Sequence, residues 1–211
     1  MPRRIDADVR RREIAALAAS LVARRGTDGL SLRALAAAAG ASTTVITHYF
    51  AGKKELLQSA YHAAVDQARD RVREAPGEDD PRRLVALCEA VLPLDAPRSE
   101  NWRTWLAFFG IAVGEPDLGA VQRRRVTGHR DLIADAVRAG QRLGTVDAAR
   151  DPDEEARTLL ALTHGVAVEA AFDPEDWPAA RQRALVARHV ATLAHPPSRE
   201  DSPAAPARES S

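Results

Sequence analysis

The chain has 211 residues, enough for one or two domains that bury a hydrophobic core without help from metals or disulfide bridges. Its 30 Lys and Arg balance 30 Asp and Glu, and no stretch approaches the roughly 20 consecutive apolar residues of a membrane span. The single cysteine, Cys88, cannot form a bridge within the chain, and no residues show metal-ligand spacing. These features favour a cytoplasmic protein that has no metal site and does not bind a membrane.

Apolar residues recur at a helical period almost throughout the chain, and no run of alternating β-branched residues interrupts them. This pattern predicts an all-α fold of about nine helices. The first ends at "RGTDG", whose two glycines permit the left-handed turn that often closes a helix. In chain order, we expect helices at about 8–25, 31–39, 42–50, 53–74, 81–92, 99–113, 117–141, 152–171 and 178–194.

The stretch "SLRALAAAAGASTTVITHYFAGKKELL", residues 31–57, has the features of a helix-turn-helix. Ser31 and Ser42 are placed to cap two short helices, and Gly40 gives the backbone the freedom to turn between them. Ala36 is small at the point where the two helices approach most closely. The inward face is predicted to contain Leu32, Leu35, Val45, Ile46 and Phe50, and the outward face Thr43, Thr44, Thr47 and His48.

The second short helix is suited to DNA. At seven residues it is about 10 Å long, which fits a major groove about 12 Å wide. Threonines recognise base edges and thymine methyl groups, while lysines and helix N-termini bind phosphates. Residues 1–54 contain ten Lys or Arg against four Asp or Glu, whereas the remainder contains twenty against twenty-six. This split favours a polyanion-binding N-terminal end, although an arginine-rich helical surface, with His48 and Tyr49 packed between helices, is the alternative interpretation.

Through these residues, the chain resembles the TetR family of transcriptional regulators. The phrase "THYF-x-x-K-x-x-L", formed by Thr47 to Phe50 with Lys53 and Leu56, is similar to the choline-responsive BetI-like branch. The resemblance implies a helix-turn-helix DNA-binding domain at 1–52 and an effector-binding and dimerisation domain at 53–195, linked by the fourth helix. By position it implies DNA contacts at Arg33, Ser42, Thr43, Thr44, Thr47, His48, Tyr49 and Lys53, with Phe50 in the core.

The last stretch, residues 196–211, is rich in proline, serine and charge and lacks an apolar period. We expect it to be a disordered tail that adds nothing to the core.

A regulator with one short recognition helix per subunit needs two-fold symmetry to read a palindrome. The resemblance implies that the last two helices form a four-helix bundle between subunits of a homodimer. Each carries an apolar stripe, although packing within one chain would produce the same pattern. The predicted interface residues are Leu159, Leu162, Val166, Ala170, Leu185, Val186, His189 and Val190.

Four aromatic residues cluster in "WRTWLAFF", residues 102–109, where ordinary core packing competes with a ligand pocket as the explanation. Nearby polar residues favour a pocket for a small effector. The candidate lining residues are Trp102, Trp105, Phe109, His129, His164 and Glu169. A cationic effector is one possibility, held by cation–π attraction to Trp102 and Trp105 with Glu169 as the counter-charge.

No nucleophile elbow, phosphate-binding loop, dinucleotide motif or zinc-protease motif occurs, so no catalytic residues and no cofactor are predicted. The sequence therefore predicts a repressor that binds a palindromic double-stranded DNA operator and is released by a small-molecule effector. Two other hypotheses stay open at this point. One is a helical protein-interaction module, or an effector-independent regulator, that has lost ligand-controlled DNA binding, and the other is a helical-bundle enzyme.

Overall fold

In a computed structural model of the protein, the structure describes residues 2–194, with side chains from residue 7 onward. Those residues form nine α-helices and no strand, which confirms the predicted fold class and helix order. The helices are α1 (Pro2–Arg25), α2 (Leu32–Ala38), α3 (Thr43–Tyr49), α4 (Lys53–Arg73), α5 (Arg83–Glu89), α6 (Ala96–Gly114), α7 (Pro116–Arg142), α8 (Pro152–Phe172) and α9 (Ala179–Ala191). The tail predicted at 196–211 lies outside the described residues. No helix within 2–194 is long and apolar enough to cross a membrane.

The first three helices are held by local sequence features. The Ser31 hydroxyl accepts a hydrogen bond from the Ala34 amide at 3.1 Å, which satisfies one of the free N–H groups at the start of α2. Of the two glycines in "RGTDG", only Gly26 takes a left-handed conformation, with φ of 67°. Gly29 is needed for a different reason, because a Cβ atom there would lie 2.8 Å from the Arg25 carbonyl oxygen.

Two clusters of buried apolar side chains lie along the length of the molecule. One joins α1–α3 to the first half of α4 and to the end of α6 and start of α7, and the other fills the body formed by α4–α9. The fourth helix contributes to both, with Leu56 in the N-terminal cluster and Ala68 in the body. The DNA-binding unit is therefore packed directly against the body by α4 and α6 as well as joined to it by the chain.

Buried hydrogen bonds hold α6 against α1 and α4. The Thr104 hydroxyl donates to the Ala19 carbonyl of α1 at 3.0 Å, and the Asn101 amide donates to the Ala64 carbonyl of α4 at 2.9 Å. Both side chains are buried, so losing either contact would leave unpaired polar groups in the core. Helix α6 therefore holds α1 and α4 in a defined arrangement.

The residues predicted for the dimer interface divide into two groups. Leu159, Val166, Ala170 and Val186 are each no more than 6% exposed and lie in the core of the single chain. Their assignment to an interface is corrected, because a side chain already buried within one chain has almost no surface left for a partner. The other four, Leu162, Leu185, His189 and Val190, are half-buried.

Candidate DNA interface and effector pocket

The turn between α2 and α3 is formed by backbone hydrogen bonds and one glycine. Gly40 has a φ of 59°, and the Ala41 amide donates to the Ala36 carbonyl at 3.0 Å, which is the six-residue closure of a Schellman motif. Ser42 then begins α3, its hydroxyl accepting from the Val45 amide at 3.3 Å. Because glycine populates positive φ at little cost, this sequence sets the steep crossing of the two helices.

Helix α3 is anchored by one buried residue and presents the others to solvent. Ile46 is fully buried, whereas Val45, predicted to face inward, is 41% exposed. The difference follows from geometry, since neighbouring helical residues are about 100° apart and only Ile46 points at α1 and α2. The exposed set comprises Thr43, Thr44, Val45, Thr47 and His48.

Two of the predicted DNA-contact residues also have structural roles. The Thr47 hydroxyl donates to the Thr44 carbonyl at 3.0 Å, leaving its methyl group and an oxygen lone pair available. Tyr49 is half-buried and its ring meets the His48 ring edge-on at 5.4 Å between centroids. The Ser42 hydroxyl likewise serves first as the cap of α3.

Two exposed cations lie on the helices that precede and follow α3. Arg33 and Lys53 are exposed, and neither forms an ion pair with any carboxylate of the described residues, so both are free to meet phosphates. Lys54 differs because its ammonium lies 3.7 Å from the Glu115 carboxylate. The N-terminus of α4, capped at Gly52 without a side-chain hydrogen bond, lies at the junction between α3 and α4.

Glu55 ties this junction to α1. Its carboxylate accepts from the Ala51 amide at 2.7 Å and from the Arg11 guanidinium at 2.6 Å. The Arg11 guanidinium also lies 5.4 Å from the ring centroid of Phe50, which is buried as predicted. These contacts fix where α3 ends and α4 begins, and hence the angle at which the exposed threonines are presented.

In the body, the structure brings together four of the six residues predicted for the pocket. The Trp102 and Trp105 rings meet edge-on at 5.0 Å, and the His164 ring lies 5.7 Å from Trp102. His129 is buried in the same cluster, where it affects the pKa of His164. The cluster therefore draws on α6, α7 and α8.

The other two predicted residues lie outside this cluster, and of all six only His129 lines the cavity described below. Glu169 is exposed, and Phe109 is half-buried against the body core. The assignment of Glu169 as a buried counter-charge is corrected: five residues after His164 on α8, it points away from the face on which the histidine is buried.

The centre of the cluster is Arg125, which the sequence analysis did not select. Its guanidinium stacks on the Trp105 ring, 3.7 Å from the centroid. Its Nε donates to Gln122 Oε1 at 3.1 Å, and the Tyr61 hydroxyl of α4 donates to the same oxygen. The "QRRRV" run of α7 carried a usable signal, because Arg125 lies four residues before His129 and so on the same helix face.

Burial changes the acid–base behaviour of this cluster. It lowers the pKa of Arg125 to about 10, which leaves the guanidinium charged at neutral pH. Burial, reinforced by that charge, lowers the pKa of His129 to about 4 and that of His164 to about 3. Both imidazoles are therefore neutral at pH 7.

A cavity of about 190 Å³ opens beside the cluster, between α4 and α7. Its lining residues are Val65, Ala68, Arg69, Val72, Val91, Arg124, Arg125, Gly128, His129 and Leu132. An apolar wall with a few convergent polar groups is typical of a small-molecule site. Within residues 7–194, no group of three or more His, Cys, Asp or Glu is arranged to hold a metal ion.

Comparison with known proteins agrees with both halves of this architecture. A family model described as "Bacterial regulatory proteins, tetR family" matches residues 14–60, and one described as "BetI-type transcriptional repressor, C-terminal" matches residues 81–195. The chain belongs to the TetR family of transcriptional regulators. As a TetR-family member it is a DNA-binding regulator with a helical C-terminal ligand-binding domain, which confirms the family and the general function expected from the sequence.

Individual TetR-family relatives resemble the chain over most of its length. It is 28% identical over 206 residues to the HTH-type transcriptional regulator PksA of Bacillus subtilis, covering 95% of this chain and 97% of that protein. It is 26% identical over 182 residues to the HTH-type transcriptional regulator BetI of Vibrio vulnificus, covering 84% and 89%. A transcriptional regulator from Saccharomonospora viridis, crystallised in complex with choline, superposes with a TM-score of 0.77 at 26% identity, covering 87% and 96%.

Proposed function

We propose that this TetR-family protein is a cytoplasmic repressor that binds a palindromic operator as a homodimer and leaves it when a small molecule enters the body cavity. The observation that carries the proposal is the pairing of a solvent-facing α3, rich in threonine and bordered by unpaired cations, with a separate cavity on α4 and α7. Its relatives are transcriptional regulators, so we assign it no catalytic activity. The proposed division is a DNA-binding domain at 1–52 and a body at 53–195.

In this proposal α3 lies in the major groove. Thr43, Thr44 and His48 meet base edges, and the methyl groups of Val45 and Thr47 meet thymine methyl groups. Arg33, Lys53 and the start of α4 bind phosphates and set the register. Tyr49 supports α3 from its half-buried position, and the Ser42 hydroxyl caps the helix.

The dimer surface we propose lies on the last two helices and combines the half-buried Leu162, Leu185, His189 and Val190 with exposed small residues beside them. Ala161 and Gly165 lie one turn apart on α8, and Ala184 and Ala187 lie on the exposed face of α9. Small side chains let helices from two subunits approach closely. Phe172, 79% exposed in the single chain, is an apolar side chain that such an interface would cover.

The dimer surface is testable through Gly165, where an added Cβ meets no atom within 4 Å. Gly165→Arg therefore fits the folded single chain but places a charge in the proposed interface, and we expect it to yield folded monomers in analytical ultracentrifugation. Gly110→Arg, at an equally open and exposed glycine on α6, is the matched control and should remain dimeric. A dimeric Gly165→Arg protein would contradict this surface.

The route from the cavity to the DNA-binding unit runs through α4. Gln122 Oε1 accepts from both Arg125 and Tyr61, so a ligand that draws the guanidinium away disturbs the hydrogen bond that holds α4 to α7. Tyr61 belongs to the N-terminal core cluster and packs edge-on against Phe108, 5.3 Å between centroids. A shift of α4 therefore moves α3 relative to its copy in the partner subunit.

The experiment that tests the proposal is selection of binding sites from random duplex DNA, with the wild type and a Thr44→Ala/His48→Ala double variant compared in parallel. Both positions are exposed, so the variant should remain folded. We expect a palindrome from the wild type and its loss or alteration in the variant. If the folded dimer enriches no sequence, the repressor proposal fails and a protein-interaction module becomes the better explanation.

A further inference from the structure

The half-buried Arg125 guanidinium, whose Nη2 is fully buried, is a positive charge without an anionic partner. No carboxylate of the described residues forms an ion pair with it, and Nη2 is buried with no hydrogen-bond partner. Removing an unpaired charge from water is among the most unfavourable features of a folded protein. Arginine stays protonated in proteins, so it cannot avoid this cost by becoming neutral. Such a group is retained when it has a role that needs the charge.

The groups around Arg125 are likewise left unsatisfied. Trp105 Nε1, His129 Nε2 and His164 Nε2 are buried and have no hydrogen-bond partner. His129, only 6% exposed, lines the cavity together with Arg125. Nearly all buried polar groups in proteins are paired. Four unpaired nitrogen groups in one cluster are therefore more than ordinary core packing would leave.

The charge of the cavity wall has one sign. Arg69, Arg124 and Arg125 contribute to it, and none of the ten lining residues is Asp or Glu. The Arg69 guanidinium lies 3.8 Å from the carboxylate of Asp66, which is not a lining residue, whereas Arg125 has no carboxylate partner. The remaining walls are apolar, formed by Val65, Ala68, Val72, Val91 and Leu132.

A cationic ligand has no place in this cluster. The Trp105 face that would attract a quaternary ammonium is already covered by the Arg125 guanidinium. Glu169, the only carboxylate suggested as a counter-charge, is exposed on α8. A second cation would therefore meet like charge in a site of low dielectric constant, where the repulsion is poorly screened.

We propose that the cavity binds a small organic carboxylate with a short apolar body, held by the Arg125 guanidinium and the His129 ring. The carboxylate oxygens accept from Arg125 Nη2 and from His129 Nε2, which gains a proton beside the anion, and the apolar body lies against α4. The cavity volume of about 190 Å³ limits the ligand to a small molecule. This assignment rests on the proposed function, since it names the effector class of the same regulator.

The test uses the full-length dimer without DNA and follows tryptophan fluorescence and the thermal unfolding midpoint. The probes are benzoate and hexanoate, their uncharged counterparts benzyl alcohol and 1-hexanol, inorganic phosphate as a free anion, and choline as a cation. The variants are Arg125→Met, which keeps the bulk of the side chain without its charge, and Arg123→Met at the exposed arginine two residues earlier, which does not line the cavity.

We expect at least one of the two carboxylates, at millimolar concentration, to raise the unfolding midpoint and to change the emission of Trp105, while the alcohols, phosphate and choline have little effect. Arg125→Met should weaken carboxylate binding at least tenfold, and Arg123→Met should leave it unchanged. Binding of choline in place of the carboxylates, no response to either carboxylate, or an unaltered response in Arg125→Met would each overturn the assignment. Because DNA is absent, a negative result leaves operator binding untouched, and failure to select an operator leaves carboxylate binding measurable.

Discussion

The recognition helix and the body cavity both present polar groups with unused hydrogen-bonding capacity, but these groups differ in exposure to water. The threonines of α3 are solvated, so holding them ready for DNA costs the fold little. The unpaired nitrogens of Arg125 and its neighbours are buried, so holding them ready for a ligand lowers stability. The DNA face is thus a solvated surface, whereas the cavity wall holds unpaired buried nitrogens that the proposed ligand would satisfy.

The largest effect on stability is expected from a substitution at Ile46, the buried residue that anchors α3. Ile46→Ala removes the one fully buried side chain of α3, and such deletions cost about 2–5 kcal/mol of the free energy of unfolding. Urea denaturation should show this loss, and operator binding should disappear with it. Val45→Ala, next to it and 41% exposed, is the control: it should alter base preference with stability nearly intact. Equal destabilisation by both substitutions would contradict the orientation of α3.

Acid should weaken the cavity region through its two histidines. Their pKa values are about 4 and 3 in the folded protein, below the ordinary value of 6.5, so the unfolded chain binds more protons between those limits. Stability is therefore complete above pH 6.5 and is lost as the pH falls towards 4, by about 3 kcal/mol for His129.

The measurement for this second effect is the free energy of unfolding from pH 7 to pH 4. His129→Gln and His164→Gln should each flatten the pH dependence, and His62→Gln, at an exposed position on α4, should leave it unchanged. An identical slope in all four proteins would show that the two rings are not buried as described.

Arg125→Met tests whether the cavity region, unlike the DNA face, lowers the stability of the protein. Because it removes an uncompensated buried charge, we expect the free energy of unfolding of the ligand-free protein to rise by about 1 kcal/mol, even though the stacking on Trp105 is lost. Chemical denaturation of the variant beside Arg123→Met, which should match the wild type, measures the difference. A clear loss of stability would mean that the guanidinium is a structural element of the core.

The smallest effect concerns Lys53, an exposed cation of the DNA face. Lys53→Gln should leave folding unchanged and weaken binding to all sequences alike, with the dependence of log K on log salt reduced by about 1, the contribution of one phosphate contact. Lys54→Gln is a useful comparison, because Lys54 is already engaged by Glu115. A change in preferred sequence with an unaltered salt dependence would place Lys53 at a base.

The fold and the DNA face were largely readable from the sequence because their determinants are local. Ser31, Gly40 and Ser42 act on residues next to them, and the caps and the turn were expected correctly. Periodicity erred only at Val45, since a seven-residue helix is too short for an apolar pattern to distinguish two adjacent positions.

The cavity was less accessible to sequence analysis because it is assembled from distant segments. The cluster of aromatic and histidine side chains was anticipated, but its central residue was hidden in a run of three arginines. Which of the three turns inward depends on the packing of α7 against α5, α6 and α8, and no local pattern fixes that. Four of the eight residues predicted for the dimer interface lie in the core for a related reason: an apolar period marks a buried face without indicating which element buries it.

The most direct test of the coupling between the two regions is the affinity for the selected operator, measured by fluorescence anisotropy with and without the carboxylate that binds the wild type. We expect the ligand to weaken operator binding about 5- to 150-fold in the wild type, a coupling of about 1–3 kcal/mol, and Arg125→Met to need at least ten times more ligand for the same effect. An operator affinity that stays constant while the cavity is demonstrably occupied would contradict this coupling.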